Sequence, residues 1–154
     1  MAWNDSEMIR VLIGDDHTLV RKGLRQIIED TLDIVVADEA ANGNEVLTKL
    51  ASNDYNVVLL DITMPGRDGL DVLKQIRSEK PDLAVLILSM HPEELYAVRA
   101  LRSGASGYLT KESVPEELIT AIRQVASGTK YITPSLAEKL AHKPVTGNGN
   151  NSLQ

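Results

Sequence analysis

The sequence contains no cysteine, which excludes a disulfide framework, a thiolate metal centre and a cysteine nucleophile. Any metal must be held by oxygen or histidine ligands. Positive charge is scarce: 16 Lys and Arg against 22 Asp and Glu leave a formal net charge of -6. A dominant phosphate-backbone-binding surface needs clustered cations, so direct nucleic-acid binding is not expected. Long apolar runs are missing as well. The longest, LAVLIL at 83–88, falls far short of the roughly 20 residues of a membrane-spanning helix. The opening MAWNDSEM lacks the basic-then-apolar order of a signal peptide, and a cytoplasmic location is expected. Neither a G-x-G-x-x-G turn nor a P-loop follows any apolar run, which disfavours a nucleotide-binding module. With 43% hydrophobic and 25% charged residues in 154, the chain suits one domain around a single core.

Short apolar runs alternate with segments whose apolar residues recur at helical spacing, the pattern of a parallel sheet covered by helices. The expected strands are IRVLIG (9–14), DIVVADEA (33–40), NVVLL (56–60), LAVLIL (83–88) and GYLT (107–110). Between the first two, Leu19, Val20, Leu24, Ile27 and Ile28 share one helical face, and Arg21, Lys22, Arg25 and Glu29 take the other. Val46, Leu47 and Leu50 repeat the pattern, as do Leu70, Leu73 and Ile76 before Pro81. Leu95, Val98 and Leu101 give a weaker helix ending at Gly104, and Leu118, Ile119, Ile122 and Val125 a stronger one that starts near Pro115 and stops at Gly128. The fold class is therefore α/β, a (βα)5 chain with a doubly wound, five-stranded parallel sheet of flavodoxin-like type. Continuous apolar runs such as VVLL and AVLIL mark central strands buried on both faces. Beyond residue 129, TPSLAEKLAHK predicts a short helix capped by Thr133 with Pro134 first, and PVTGNGNNSLQ reads as a flexible tail. Residues 1–7 are expected to be loose.

In open parallel sheets, ligands bind beyond the carboxyl ends of the strands. The first strand runs out into Asp15 and Asp16, the third into Asp61, the fourth into Ser89, and the fifth into Thr110 and Lys111. Each has a blander reading alone: a helix cap for Asp15 or Asp16, an Asx-type turn for Asp61, a solvated charge for Lys111. Their joint occurrence at four strand ends is the informative fact. Carboxylates a few ångströms apart repel, so one is protonated or a hard cation sits between them. Mg2+ suits such a set, since it takes one or two carboxylates, several waters and a phosphate. Lys111 can pair with Asp61 and then with a phosphoryl oxygen, and Ser89 can donate to another. An aspartate so flanked is arranged to attack phosphorus and hold an acyl phosphate.

The segments VLIGDDHTLVRKGL, VVLLDITMPGRDGLDVL, VLILSMH and GASGYLTK resemble the receiver domain of two-component response regulators, over roughly residues 8–129. The resemblance implies that Asp61 is phosphorylated by a sensor histidine kinase, and that Asp16, Asp61 and the backbone carbonyl of Thr63 bind Mg2+, with Mn2+ as a substitute and Asp15 assisting through water. It implies that Ser89 and Lys111 contact the phosphoryl group and that Tyr108 is the aromatic switch, with an edge-of-core tyrosine as the simpler alternative. Repacking is then expected in the 92–103 helix and the fifth strand, with self-association into a homodimer on phosphorylation. Two positions depart from the common pattern. Glu112 stands where many receivers have proline, so a cis peptide after Lys111 is not assumed. Thr63 and His91, two residues after Asp61 and Ser89, occupy positions that tune phosphoryl lifetime in this family; His91, beside Pro92, reads as a solvated loop residue. SGASGYLTKES and GTKYITPSLAEKL resemble the NarL/FixJ subfamily, in which the receiver precedes a LuxR-type helix-turn-helix domain. Residues 130–154 then form a short helix and linker, with the DNA-binding domain absent. Transcription is the expected output, and the domain is a phosphorylated switch rather than an enzyme. A haloacid dehalogenase-type phosphohydrolase is the main rival, but that class wants a second Asp two residues after its nucleophile, where Thr63 stands.

Overall fold

The computed structural model describes residues 8–64, 66, 68–90 and 94–141. Strands and helices alternate as β1 (Ile9–Gly14), α1 (Thr18–Glu29), β2 (Ile34–Ala40), α2 (Gly43–Ser52), β3 (Val57–Asp61), α3 (Gly69–Glu79), β4 (Ala84–Ser89), α4 (Glu94–Arg102), β5 (Gly107–Thr110), α5 (Val114–Ala126) and α6 (Pro134–Ala141). A 3-10 turn over Lys111–Ser113 joins β5 to α5. All strand pairings are parallel, in the order β2-β1-β3-β4-β5. Each expected strand is present. The third and fourth extend one residue further than their apolar runs, because Asp61 and Ser89 still pair in the ladder.

Successive side chains of a strand point to opposite faces, and here both faces are covered. Leu12, Val58, Leu60, Val85 and Ile87 pack with residues of α2, α3 and α4. Val11, Ile13, Val57, Leu59, Leu86 and Leu88 pack with those of α1 and α5. Every residue of β3 and β4 is consequently buried. At the edge, β2 is only partly so.

Two helix faces differ from expectation. Leu19 is 82% exposed, while Leu24 and Ile28 of the same helix are buried. At about 100° per residue, position 19 lies opposite position 28, so it cannot share its stripe. In α4 the buried stripe is Ala97, Ala100 and Leu101, with Val98 only half-buried. Small alanines let this helix sit close to the sheet.

After α5 the chain turns back along β5. The Tyr131 N–H donates to Ser106 O at 2.9 Å, Tyr131 forms a parallel bridge with Gly107, and its hydroxyl donates to Glu117 Oε1 at 2.6 Å. Residue 107 has no room for a side chain, since a Cβ would lie 2.8 Å from Tyr131 O and 2.9 Å from Leu86 Cδ1. Thr133 caps α6 as anticipated, its Oγ1 accepting from Leu136 N at 3.3 Å. The sequence did not reveal that α6 docks: Leu136 is buried in the same layer as Ala97, Ala100 and Leu101 of α4. The expectations for residues 1–7 and for the glycine- and asparagine-rich tail lie outside the described residues.

Candidate functional site

Gly14 pairs with Leu60, so Asp15 and Asp61 leave neighbouring strands side by side. Both are buried, at 1% and 2% exposure. Two carboxylates so placed need a counter-charge, and Lys111 supplies one. Its Nζ donates to Asp15 Oδ2 at 3.0 Å and to Asp61 Oδ2 at 3.3 Å. Burial alone would lower the Lys111 ammonium, but the hydrogen bond to Asp15 and the charges of Asp61 and Asp15 outweigh it and hold the group above its ordinary value. Asp61 is also pushed above its ordinary value. Burial is the main cause, opposed by the Thr63 N–H, aided by the charge of Asp15 and opposed again by Lys111.

The loop after β3 folds back on this carboxylate. Thr63 N donates to Asp61 Oδ1 at 3.1 Å, and the threonine side chain faces solvent. The loop is tied down where Gly69 N donates to Ile62 O at 3.1 Å. A Cβ on residue 69 would lie 2.5 Å from that oxygen and 2.6 Å from Ile62 Cα. Only glycine lets α3 begin this close to the loop.

Asp16 completes the acidic set. Its Oδ1 is shielded from solvent and has no hydrogen-bond partner; His17 Nδ1 lies 3.1 Å away without hydrogen-bonding geometry. One ligand atom from each of Asp15, Asp16, His17 and Asp61 falls within 4.8 Å of the others. Buried polar atoms are normally paired, so a shielded, undonated carboxylate oxygen beside two further carboxylates fits a hard, oxygen-seeking cation.

Ser89, fully buried at the end of β4, stands opposite Thr110. Tyr108 is 7% exposed and belongs to the core layer beneath α4. The Thr110 hydroxyl donates to Ser113 Oγ at 3.2 Å, closing the turn that carries Lys111. The structure thus brings Asp15, Asp16, Asp61 and Lys111 into one cluster, with Ser89 on the same sheet edge and Tyr108 two residues before Thr110. No cis peptide occurs among the described residues. His91 lies outside them.

Two neighbours of the site were not singled out from sequence. His17 donates its N–H to Asp15 Oδ1 at 2.8 Å, and its Nδ1 lies 3.1 Å from the same oxygen; its place directly after the acidic pair was the available signal. Arg21, assigned from periodicity to the outer polar face of α1, is folded inward. Its Nη1 donates to Asp15 O at 2.6 Å and its Nε to Glu39 Oε1 at 3.0 Å. Periodicity places a side chain on a face and says nothing of how far a long one reaches.

A buried aspartate at a strand end, paired with lysine and flanked by further carboxylates on a 2-1-3-4-5 parallel sheet, is the arrangement expected of a receiver-type signalling domain. The comparisons agree. Residues 11–123 match the response regulator receiver domain, and the chain belongs to this family. It is 40% identical over 134 residues to the response regulator UvrY of Escherichia coli K12, covering 87% of this chain and 62% of UvrY. This chain therefore spans less than two thirds of that relative's length. A two-component response regulator of the LuxR family from Aurantimonas sp. SI85-9A1 superposes with a TM-score of 0.80 at 34% identity, covering 87% of this chain and 96% of that one. A structure of two RcsB dimers bound to two parallel DNAs superposes with a TM-score of 0.78 at 26% identity, covering 87% and 68%. The chain is a signalling domain of two-component response regulators. Among the described residues no helix is long and apolar enough to cross a membrane.

Proposed function

We propose that Asp61 accepts a phosphoryl group from the phosphohistidine of a sensor histidine kinase. The observation that carries this reading is the Asp61 carboxylate itself, buried at the sheet edge between Lys111 and Asp15. In the transfer an Asp61 oxygen attacks phosphorus, the P–N bond breaks, and the imidazole nitrogen leaves with the electron pair. Mg2+ or Mn2+ bound at the acidic cluster supplies charge neutralisation for the phosphoryl oxygens. Asp16, Asp61 and the Thr63 carbonyl would hold it, with Asp15 acting through water. Lys111 keeps the two buried carboxylates compatible beforehand and donates to a phosphoryl oxygen afterwards. Ser89 donates to another, and Tyr108, beneath α4, repacks with it.

An apolar groove of about 260 Å³ opens beside Lys111, lined by Val20, Leu24, Ile27, Leu88 and Met90 among others. The kinase domain that carries the phosphohistidine must approach Asp61 from this edge, and the groove gives it an apolar footing. For the whole protein we infer a cytoplasmic transcription regulator: residues 8–129 are the receiver, 130–154 a helix and linker, and DNA is bound by a separate helix-turn-helix domain. Likeness to UvrY and to RcsB, whose dimers bind DNA, supports this reading.

Acetyl phosphate with Mg2+ is expected to add one phosphoryl group, seen by intact mass, that Asp61→Asn abolishes. Unchanged labelling of the variant would overturn the assignment. Beryllofluoride is expected to shift sedimentation toward a dimer, and an identical profile with and without it would refute phosphorylation-driven self-association.

A further inference from the structure

The acidic pair sits on a loop between β1 and α1, and the loop's backbone is fastened from two sides. Asp15 N donates to Ala40 O at 3.0 Å, which ties it to the end of β2. Its carbonyl accepts from Arg21 Nη1 at 2.6 Å, and the same guanidinium donates through Nε to Glu39 Oε1 at 3.0 Å. Glu39 is held in turn by Arg25, whose Nε donates to Oε2 at 2.8 Å. Arg21 is well covered, its side chain 16% exposed. Burial would raise the Glu39 carboxyl, but its hydrogen bonds to Arg25 and Arg21 outweigh that and hold it below its ordinary value. Glu39 thus stays ionised as an anchor.

From this geometry we infer that Arg21 is a positioning residue for the cation site: by spanning Glu39 on β2 and the Asp15 carbonyl, it fixes the loop that aims the Asp15 and Asp16 carboxylates. The inference rests on the cation site described under Proposed function. The direction of the expected effect separates positioning from charge. A cation beside three carboxylates weakens binding of another cation, so removing the Arg21 charge alone would tighten the site. Loss of positioning acts the other way, and removal of a group that orients ligands typically weakens metal affinity by about 10-fold or more.

The test is Mn2+ binding to the full chain, read from the electron paramagnetic resonance signal of free Mn2+, which requires no phosphoryl transfer. Arg21→Gln is expected to raise the Mn2+ dissociation constant about 10-fold. Arg21→Lys keeps the charge and the ion pair with Glu39, but a point-like ammonium cannot span both partners, so it too is expected to bind weakly while melting near the wild-type temperature. With acetyl phosphate, both variants should need more Mg2+ for half-maximal rate yet approach the wild-type rate at saturation. Wild-type or tighter Mn2+ affinity in Arg21→Gln, or full affinity in Arg21→Lys, would overturn the inference. Should Arg21→Gln fail to fold, Arg21→Lys decides. A wild-type protein that leaves all Mn2+ free would instead overturn the cation site itself, and the inference with it.

Discussion

Replacing Asp61 by asparagine is expected to stabilise the metal-free protein while abolishing its phosphorylation. Ligand atoms of Asp15, Asp16 and Asp61 lie within 4.8 Å of one another, so at an effective dielectric of about 20 each pair of ionised carboxylates repels by at least about 3.5 kcal/mol. Lys111, at 3.0 and 3.3 Å from Asp15 and Asp61, attracts each by about 5 kcal/mol on the same footing. Asp61→Asn removes two repulsions and one attraction, a gain of about 2 kcal/mol. Relief of the buried charge adds to this, and loss of the charge-assisted bonds from Thr63 and Lys111 subtracts. For a domain of this size about 2 kcal/mol moves the melting temperature by about 4–8 °C. Thermal unfolding followed by circular dichroism, with EDTA and then with Mg2+, provides the assay. In EDTA the variant should melt above wild type. Mg2+ at a hundredfold excess over its dissociation constant should stabilise wild type by about 2.7 kcal/mol and the variant by less, closing the gap. The pH dependence has a definite sign. Folding raises the Asp61 value, so wild type loses this contribution as pH rises from the ordinary carboxylate value through the raised one, and the gap grows over that interval. A variant that melts below wild type in EDTA would refute the reasoning.

Gly69→Ala places a methyl against the Ile62 backbone, which cannot yield as a side chain does. We expect a loss of about 1–3 kcal/mol, measured by urea unfolding, and slower labelling of Asp61 as the Thr63 loop is displaced; an unchanged midpoint would contradict the close approach. The hydrogen bond to Glu117, with burial, pushes the Tyr131 phenol up to about 12. Its contribution to stability is therefore full below the ordinary tyrosine value of 10.0 and is lost as pH rises from there through about 12. Ultraviolet titration should show late tyrosinate ionisation, to which Tyr55, also raised by burial and by Asp38, contributes. Tyr131→Phe should remove one tyrosine's share of it, and an unchanged late amplitude would count against the assignment.

The strands were legible because parallel strands buried on both faces leave continuous apolar runs, as VVLL and AVLIL do. The acceptor cluster was legible for a related reason: four of the five runs lead into a polar residue, β2 being the exception at Ala40, and a parallel sheet collects those ends on one edge. What sequence did not reveal lies in long or small side chains. Arg21 and Arg25 occupy polar helix positions, yet turn back to Glu39 eighteen and fourteen residues away. Ala97 and Ala100 carry the contact face of α4 without standing out in an apolar pattern. Leu136 was placed on a helix but not against α4, since docking of α6 depends on a partner surface that forms only once the sheet is folded.

The return of the chain along β5 bears on how copies of this domain can meet. A free sheet edge invites another strand to add to it, and such pairing is hard to reverse. β5 is four residues long, and its first, Gly107, is already bridged by Tyr131. At the opposite edge β2 carries Asp38 and Glu39, each engaged by basic residues of flanking helices. Among the described residues, neither margin offers a long, unguarded row of peptide groups. If copies associate as proposed, the contact falls to side chains on helical faces rather than to added strands.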